Sequence, residues 1–249
     1  METLGELLDG SQSESTIKHF WNVQQKSDQW YQLRCGVITA SVMKDLIKKK
    51  TDKKTGEVTY SVPDDDKTKA YFFELAAQRV TNDIEDTYQS YAMIRGERDE
   101  VDAFNLYSQK YEPLKTCGFI TNEQHGVLIG YSPDGLTALN DEGQVECKSR
   151  APKFQAETIF ENEMPDDYMI QIQTGLLVTK RKWCDFISYC GGMPMFVKRI
   201  YPDPIIQDTI ILAAQKADKD VQAIVDRIKS NIKSNNFYPT IKRVEDISA

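Results

Sequence analysis

Three charged side chains within a short stretch of this chain could carry out chemistry together. Asp134 stands in the bend Ser132-Pro133-Asp134-Gly135, and Glu146 and Lys148 follow at a spacing of two. Two carboxylates and a lysine around one point suit Mg²⁺ chemistry on phosphodiesters, because hard oxygen ligands hold the ion and the lysine offsets charge on the phosphate. Such spacings are common by chance, so an exposed hairpin with ordinary surface charges is the alternative.

The elements that must position these side chains are strands. Residues 126–131 and 136–139 are apolar and predict two strands, residues 140–143 have the composition of a hairpin turn, and residues 144–148 predict a returning strand. Since side chains alternate along a strand, Glu146 and Lys148 share one face, and Val145 and Cys147 face a core. A charged pair on a buried strand is costly unless compensated, and a divalent cation bridging to Asp134 would compensate it.

A second group of residues predicts a phosphate site. The segment Trp30-Tyr31-Gln32-Leu33-Arg34-Cys35-Gly36-Val37-Ile38-Thr39-Ala40-Ser41 leads into a helix that Thr39 or Ser41 caps. A helix N-terminus with free N–H groups, a serine hydroxyl and a nearby arginine can bind phosphate. The alternative is a plain helix cap beside a surface arginine.

Composition limits the class of protein. The 249 residues, 40% hydrophobic and 28% charged, are long enough to build their own core, and no apolar run approaches the roughly 20 residues of a membrane span. The N-terminus lacks signal-peptide character, so the expected location is the cytoplasm. Five cysteines without a C-x-x-C pair and only two histidines indicate neither a disulfide framework nor a zinc site. A net charge of −7 argues against a nonspecific DNA coat, but it is compatible with a local basic channel beside an acidic metal site.

The remaining pattern predicts an α/β chain forming a single domain over residues 1–249, with an N-terminal arm or helix at 1–27 and a C-terminal helix and tail at 203–249. Residues 114–122 are expected to form the edge strand before the catalytic hairpin, and residues 48–69 a charged loop or small hairpin. Further helices are expected at 67–80, around 94–104, at about 153–161, at 167–179 and from Pro204 onward, and two antiparallel strands at 183–189 and 195–201.

Four blocks carry a family resemblance. They are W-x-x-L-R-x-G-x-I-T-A-S from Trp30, R-G-x-x-x-E from Arg95, Ser-Pro-Asp-Gly followed by Glu-x-Lys, and Y-x-x-Q-x-Q from Tyr168. In this order they resemble the lambda exonuclease family of YqaJ-like viral recombinases, within the PD-(D/E)XK nuclease superfamily. The family usually has a proline close behind the lysine, and Ser149-Arg150-Ala151-Pro152 departs slightly from that pattern.

The resemblance implies a fold and an activity. The fold is a restriction-endonuclease-like core, a central mixed β-sheet flanked by helices. The activity is Mg²⁺-dependent 5′→3′ exonuclease digestion of linear double-stranded DNA to mononucleotides and a 3′ single strand, for phage-type homologous recombination by strand annealing. Two Mg²⁺ ions, replaceable by Mn²⁺, a toroidal homotrimer on DNA ends, a single-strand annealing partner, no membrane association and a bacterial host cytoplasm belong to the same expectation.

The resemblance also assigns roles to residues. The metal ligands are Asp134, Glu146 and the backbone carbonyl of Cys147, Lys148 positions the attacking water, and Glu100 and Gln171 complete the centre. Glu97 competes with Glu100, and Gln171 and Gln173 cannot both face the core. The 5′-phosphate is held by Arg34, Ser41 and Ser132, and Met93 stands where the family places an apolar wedge.

Two questions stay open from the sequence. Arg150 and Lys153 are basic and adjacent to the site, and both are candidate phosphate contacts between which the sequence does not choose. The rival functions are a related endonuclease or single-strand nuclease, and a non-catalytic DNA-binding protein on the same fold. Retention of Asp134, Glu146 and Lys148 together argues against the last of these.

Overall fold

The strands of this protein belong to two larger sheets and one small hairpin. A computed structural model describes residues 16–85, 90–234 and 237–241, apart from the Ala92 side chain. The N-terminal arm up to residue 15, part of the polar break after the 67–80 helix and the end of the C-terminal tail lie outside the described residues. Within them the strands are β1 (Ile17–Phe20), β2 (Ile38–Thr39), β3 (Lys48–Thr51), β4 (Val58–Ser61), β5 (Leu114–Lys115), β6 (Phe119–Asn122), β7 (Ile129–Tyr131), β8 (Gly135–Thr137), β9 (Gly143–Ser149), β10 (Trp183–Tyr189) and β11 (Phe196–Ile200).

The helices begin where the sequence supplies caps. Ser27, Asp65 and Ser90 accept backbone N–H groups at the starts of the first, third and fourth helices, which satisfies donors that have no partner inside a helix. The helices are α1 (Asp28–Arg34), α2 (Ala40–Met43), α3 (Asp66–Thr81), α4 (Tyr91–Lys110), α5 (Pro152–Glu161), α6 (Met169–Thr179) and α7 (Pro204–Ser234), with 3₁₀ turns at Lys44–Leu46 and Asp166–Tyr168. Thr39 occupies the cap position of α2 without a side-chain cap hydrogen bond. None of the described helices combines the length and apolar character needed to cross a bilayer.

The two larger sheets meet where the chain passes from β7 to β8. One sheet has the strand order β1-β6-β7-β2, and the other has the order β11-β10-β9-β8-β5. β9 and β10 are parallel, while β8 and β9 form an antiparallel hairpin, so the second sheet is mixed. The chain passes from the first sheet to the second between β7 and β8, at residues 132–134. That crossing places Asp134 in the gap beside β9.

Two sequence expectations are corrected here. Residues 114–122 form two strands in different sheets rather than one edge strand, because the chain leaves β5 beside β8 and enters β6 between β1 and β7. Of these two strands, β5 lies at a sheet edge and β6 does not. In the N-terminal segment 1–27, the described part contains strand β1, paired antiparallel with β6, rather than a helix. Two of its four residues are exposed and the other two only partly buried, so pairing and not an apolar stripe determines their conformation.

Three apolar clusters hold the elements together. The largest joins β2, β6 and β7 to α2, α3, α6 and α7. A second lies between α4 and the strands β9 and β10, and it contains Val145 and Cys147 as expected from their alternation. A third lies between α6 and β10. The sheet therefore has helices on both faces, which fixes β9 between α4 and α6.

Gly118 marks the closest backbone approach near the site. A Cβ built there would stand 2.0 Å from the carbonyl oxygen of Val23, a contact with backbone that cannot rotate away. We expect Gly118→Ala to destabilise the fold by about 3 kcal/mol, at the upper end of the usual cost of overpacking. Chemical denaturation measures this. The control is Gly191→Ala, where a Cβ meets nothing within 4 Å, and a similar loss in both variants would contradict the prediction.

Candidate active site

Strand β9 carries the central charged pair. It is flanked by β10 and β8, and Val145 and Cys147 point toward α4, which leaves Glu146 and Lys148 on the face toward α6. Glu146 is completely buried, whereas the Lys148 side chain is 24% exposed. A buried carboxylate is tolerated only when its oxygens accept hydrogen bonds.

Three side chains supply those hydrogen bonds. Glu146 Oε1 accepts from Lys148 Nζ at 2.6 Å and from Gln171 Nε2 at 2.5 Å, and Oε2 accepts from the Tyr131 hydroxyl at 3.0 Å. Burial acts to lower the pKa of Lys148, but the charges of Glu146 and Asp134 together more than reverse this and raise that pKa above its ordinary value. The lysine is therefore a cation held against the carboxylate. Gln171, rather than Gln173, faces the site, because Gln173 bonds to the backbone of Tyr201.

Asp134 joins the site from the crossing between the sheets. Its Oδ2 accepts the backbone N–H of Cys147 at 2.7 Å, which ties the bend directly to β9. Burial, followed by the negative charge of Glu146, raises the pKa of Asp134 well above its ordinary value. Two carboxylates are thus held in one enclosed space.

Glu100 reaches the same space from α4. Burial raises its pKa, the negative charge of Glu146 adds to this effect, and Lys26 and Lys148 oppose it. The competing residue, Glu97, forms an ion pair with Lys26. The structure therefore places Glu100 within electrostatic reach of Glu146 and Lys148.

Helix α4 is fixed by polar contacts at two points. Ser149 Oγ donates to Asp99 Oδ2 at 2.5 Å, next to Glu100 in the sequence. Eight residues after Asp99, the Tyr107 hydroxyl donates to buried Asp185 on β10 at 2.7 Å. These contacts hold the helix along β9 and so determine where the Glu100 carboxylate lies.

The donor set fits a hard divalent cation bound through few protein ligands. In the described ranges, no three His, Cys, Asp or Glu side chains are grouped so as to bind a metal by themselves. Mg²⁺ usually keeps several waters and takes one or two carboxylates plus substrate phosphate oxygens, which Asp134 and Glu146 can provide. Three carboxylates, with Glu100, lie near one another here, and burial first and the negative charge of Glu146 in addition raise the pKa values of Asp134 and Glu100. A divalent cation would balance the negative charge of these carboxylates.

Arg34 forms a second polar group beside the site. Its Nη1 donates to Ser132 Oγ at 3.2 Å and its Nη2 to Thr39 Oγ1 at 3.5 Å, and its guanidinium lies 4.2 Å from the centre of the Trp30 ring. Burial lowers the pKa of Arg34 to about 10, so the group remains a cation at neutral pH. Ser41 is exposed and reaches this group through its 3.2 Å contact with Thr39.

A cavity of about 480 Å³ opens onto this arginine. Lys26, Trp30, Arg34 and Met93 are among the residues that line it, together with residues of α3. Met93 is 48% exposed at the start of α4. The predicted phosphate residues Arg34 and Ser132 and the predicted wedge Met93 thus come together, although they lie on three separate elements.

Arg150 and Lys153 differ in their surroundings. Arg150 follows the end of β9, and its Nη1 donates to the Tyr168 hydroxyl at 2.7 Å. Lys148 Nζ lies 5.6 Å from the centre of the same Tyr168 ring. Lys153 is exposed on α5, where its only ring contact within the described structure is with Phe154.

Several residues of the site were missed by the sequence reasoning. They are Tyr131, which supports Glu146, Tyr168, which contacts Arg150, and Trp30 and Thr39, which hold Arg34. Each lies inside or beside a recognised block, and that proximity was the available signal. Their roles depend on hydrogen bonds between distant segments, which no local pattern reveals.

The family follows from comparison with known proteins. The family model described as the YqaJ-like viral recombinase domain matches residues 29–182, more than half of the chain. The chain belongs to this family. Those residues include both the Arg34 group and the Asp134–Lys148 centre. A search of curated proteins found no match.

Solved structures agree with the family. An alkaline exonuclease (LHK-Exo) from Laribacter hongkongensis is 26% identical with a TM-score of 0.71, covering 84% of this chain and 99% of that one. A structure of LHK-Exo in complex with dAMP gives 27% identity, a TM-score of 0.65 and the same coverage. A phage related exonuclease from Haemophilus somnus 129PT, 13% identical with a TM-score of 0.54 over 77% of this chain and 96% of that one, shows the fold alone. The expected mixed α/β, restriction-endonuclease-like fold is confirmed.

Proposed function

We propose that this protein is a Mg²⁺-dependent 5′→3′ exonuclease of linear double-stranded DNA that leaves a 3′ single strand for recombination by strand annealing. The observation that carries the proposal is the buried Glu146 carboxylate, held by Lys148 and Gln171 in the same space as Asp134. Membership of a viral recombinase family and similarity to LHK-Exo support it.

The metal would be held by Asp134, Glu146 and the backbone carbonyl of Cys147, two Mg²⁺ ions per site with Mn²⁺ as a substitute. When bound, it supplies Lewis-acid stabilisation of the charge that develops on the phosphate. Lys148 holds the attacking water with the N–H donors that Glu146 does not use, and Gln171 fixes the Glu146 carboxylate. Glu100 adds a carboxylate from the helix side.

Each cleavage hydrolyses one phosphodiester bond. The water oxygen bonds to phosphorus, the bond from phosphorus to the 3′ oxygen of the first nucleotide breaks, and that oxygen leaves with a proton. The shortened strand keeps a new 5′-phosphate. Arg34, Ser41 and Ser132 bind the 5′-phosphate of the end being degraded, so each cut releases one nucleotide, while Met93 separates the strands at the end of the duplex.

The wider arrangement extends the same proposal. We place the chain as one exonuclease domain, because β1 and α7 pack with the elements of the family match around one apolar cluster. The substrate is a double-stranded DNA end, and the partners are two further copies in a toroidal trimer and a single-strand annealing protein. The proposed location is a bacterial host cytoplasm.

Digestion of end-labelled DNA tests the function. Linear duplex DNA labelled at the 5′ or 3′ end is incubated with Mg²⁺ and either wild type, Lys148→Ala or the exposed-lysine control Lys229→Ala. We expect early release of 5′-terminal mononucleotides by wild type and by the control, and none by Lys148→Ala.

Other outcomes would point elsewhere. Cutting of circular duplex DNA would favour an endonuclease. Absence of a Mg²⁺-dependent product would favour a DNA-binding protein without nuclease activity. The same product from Lys148→Ala would contradict the catalytic role given to Lys148. Thermal unfolding of Lys148→Ala shows whether the variant is folded, and we expect a cooperative transition.

A further inference from the structure

Two arginines of this protein stand apart in how their charge is balanced. Five described arginines are buried or partly buried, and three of them pair with a carboxylate; the three pairs are Arg79 with Asp218, Arg95 with Asp99 and Arg181 with Asp141. Within the described part of the chain, Arg34 and Arg150 have no such partner. A partly buried guanidinium without a carboxylate is costly unless an anion is its intended partner.

Arg150 is held in a fixed orientation. Its Nη1 donates to the Tyr168 hydroxyl at 2.7 Å, and its guanidinium carbon lies 5.1 Å from the centre of the Phe154 ring and 5.6 Å from that of Tyr168. Its Nε is buried and has no hydrogen-bond partner among the described residues. Aromatic contacts fix the plane of a guanidinium without neutralising it. The charge is therefore oriented but not balanced.

The position of Arg150 is next to the reactive centre. Its backbone N–H continues the pairing of β9 by donating to Tyr189 O at 2.7 Å. With a side-chain period of two, Glu146, Lys148 and Arg150 project toward one face. The Tyr168 ring lies within 5.6 Å of both Lys148 Nζ and the Arg150 guanidinium, so the two cations are neighbours along this face.

We propose that Arg150 binds an internal phosphodiester of the DNA strand being degraded, close to the bond that is cut, with Tyr168 as its positioning residue. This inference rests on the proposed function and adds a contact distinct from the 5′-terminal phosphate at Arg34. It also chooses between the two basic residues behind the lysine. Lys153 is exposed on a flexible stem of four carbons, whereas Arg150 presents an unbalanced, planar fork that suits phosphate oxygens.

Neutral linkages in DNA test this contact by binding alone. Duplexes with a single methylphosphonate at successive positions from the 5′ end are titrated by fluorescence anisotropy in EDTA, where no cleavage occurs. We expect wild type to lose about tenfold in affinity at one internal linkage, the size of one charge-assisted hydrogen bond. Arg150→Gln should bind unmodified DNA about tenfold more weakly and show no further loss at that linkage.

Salt dependence supplies a second readout. Loss of one phosphate contact reduces the slope of log affinity against log salt concentration by about one, so Arg150→Gln should show that reduction. Arg150→Lys, which keeps the charge but not the fork, should keep the slope and bind more weakly than wild type. Tyr168→Phe alone should weaken DNA binding. Added to Arg150→Gln it should weaken binding no further, since its effect passes through the arginine.

The control is Arg227→Gln, an exposed arginine on α7, which should leave the methylphosphonate profile unchanged. Equal sensitivity of wild type and Arg150→Gln at every linkage would overturn the inference, as would transfer of the effect to Lys153→Gln or failure of wild type to bind the unmodified duplex. Because the assay needs no metal, absence of nuclease activity would reject the proposed function without deciding this test.

Discussion

Asp134→Asn and Glu146→Gln should each reduce cleavage of duplex DNA more than about 10³-fold, yet they should change the stability of the fold in opposite directions. The loss of activity follows from removal of one of two carboxylates that would hold the metal, and removal of a single electrostatic stabiliser already costs about 10²–10³-fold in catalysis. Both substitutions preserve side-chain shape.

The stabilities diverge because the two carboxylates have different neighbours. Asp134→Asn keeps an oxygen that can accept the Cys147 N–H and removes a charge that repels Glu146. We expect it to unfold about 2–4 °C higher than wild type in EDTA, since relief of one like-charge contact is on the order of 1 kcal/mol. Glu146→Gln removes the negative charge that pairs with the largely buried Lys148, so we expect the free energy of unfolding to fall by about 3 kcal/mol.

Single-turnover cleavage and thermal unfolding in EDTA measure the two effects. The control is Glu161→Gln, which removes an exposed carboxylate at the end of α5 and should alter neither. If Asp134→Asn retained cleavage within tenfold of wild type, or if both variants were equally destabilised, the proposed metal site would be wrong.

Arg34→Ala should abolish the preference for a 5′-phosphorylated end while reducing cleavage of a 5′-hydroxyl end much less. Arg34 is a cation with hydroxyl partners and an aromatic support but, within the described residues, no carboxylate. Charge-assisted hydrogen bonds to a phosphate contribute about 1.5–3 kcal/mol, which corresponds to roughly 10–100-fold in the ratio of rates on the two ends.

Initial rates on matched duplexes with a 5′-phosphate or a 5′-hydroxyl measure that ratio. Arg34→Lys should recover part of the preference, because it restores the charge but not the bidentate fork, and Ser41→Ala should lower the preference less than Arg34→Ala. Arg227→Ala, an exposed arginine on α7, is the control. Equal losses on both ends in Arg34→Ala would show that Arg34 acts on folding or general binding rather than on the terminal phosphate.

Much of the site was predictable because its information is local. The spacing of Glu146 and Lys148 on an alternating strand and the bend at Asp134 are properties of neighbouring residues. So are the long helices α3, α4 and α7, whose apolar positions recur with the helical period. For these elements, short-range sterics and the side-chain period decide the conformation, and the same conformation is found in the tertiary structure.

Other features depended on contacts between segments far apart in the chain. The division of residues 114–122 between two sheets and the pairing of the N-terminal strand β1 with β6 are set by which edges are available once the sheets form. Likewise, Glu97 and Glu100 lie three residues apart on one helix. Only the packing of α4 against β9 brings Glu100 close to Glu146 and Lys148.

The amino-acid sequence by itself thus determined which groups could do the chemistry, and the family that uses them. The tertiary structure decided how those groups are charged and supported: Tyr131 and Gln171 on Glu146, and Tyr168 on Arg150. The physical reason is that burial and hydrogen bonding fix the balance of charge at each group, and both depend on partners tens of residues away.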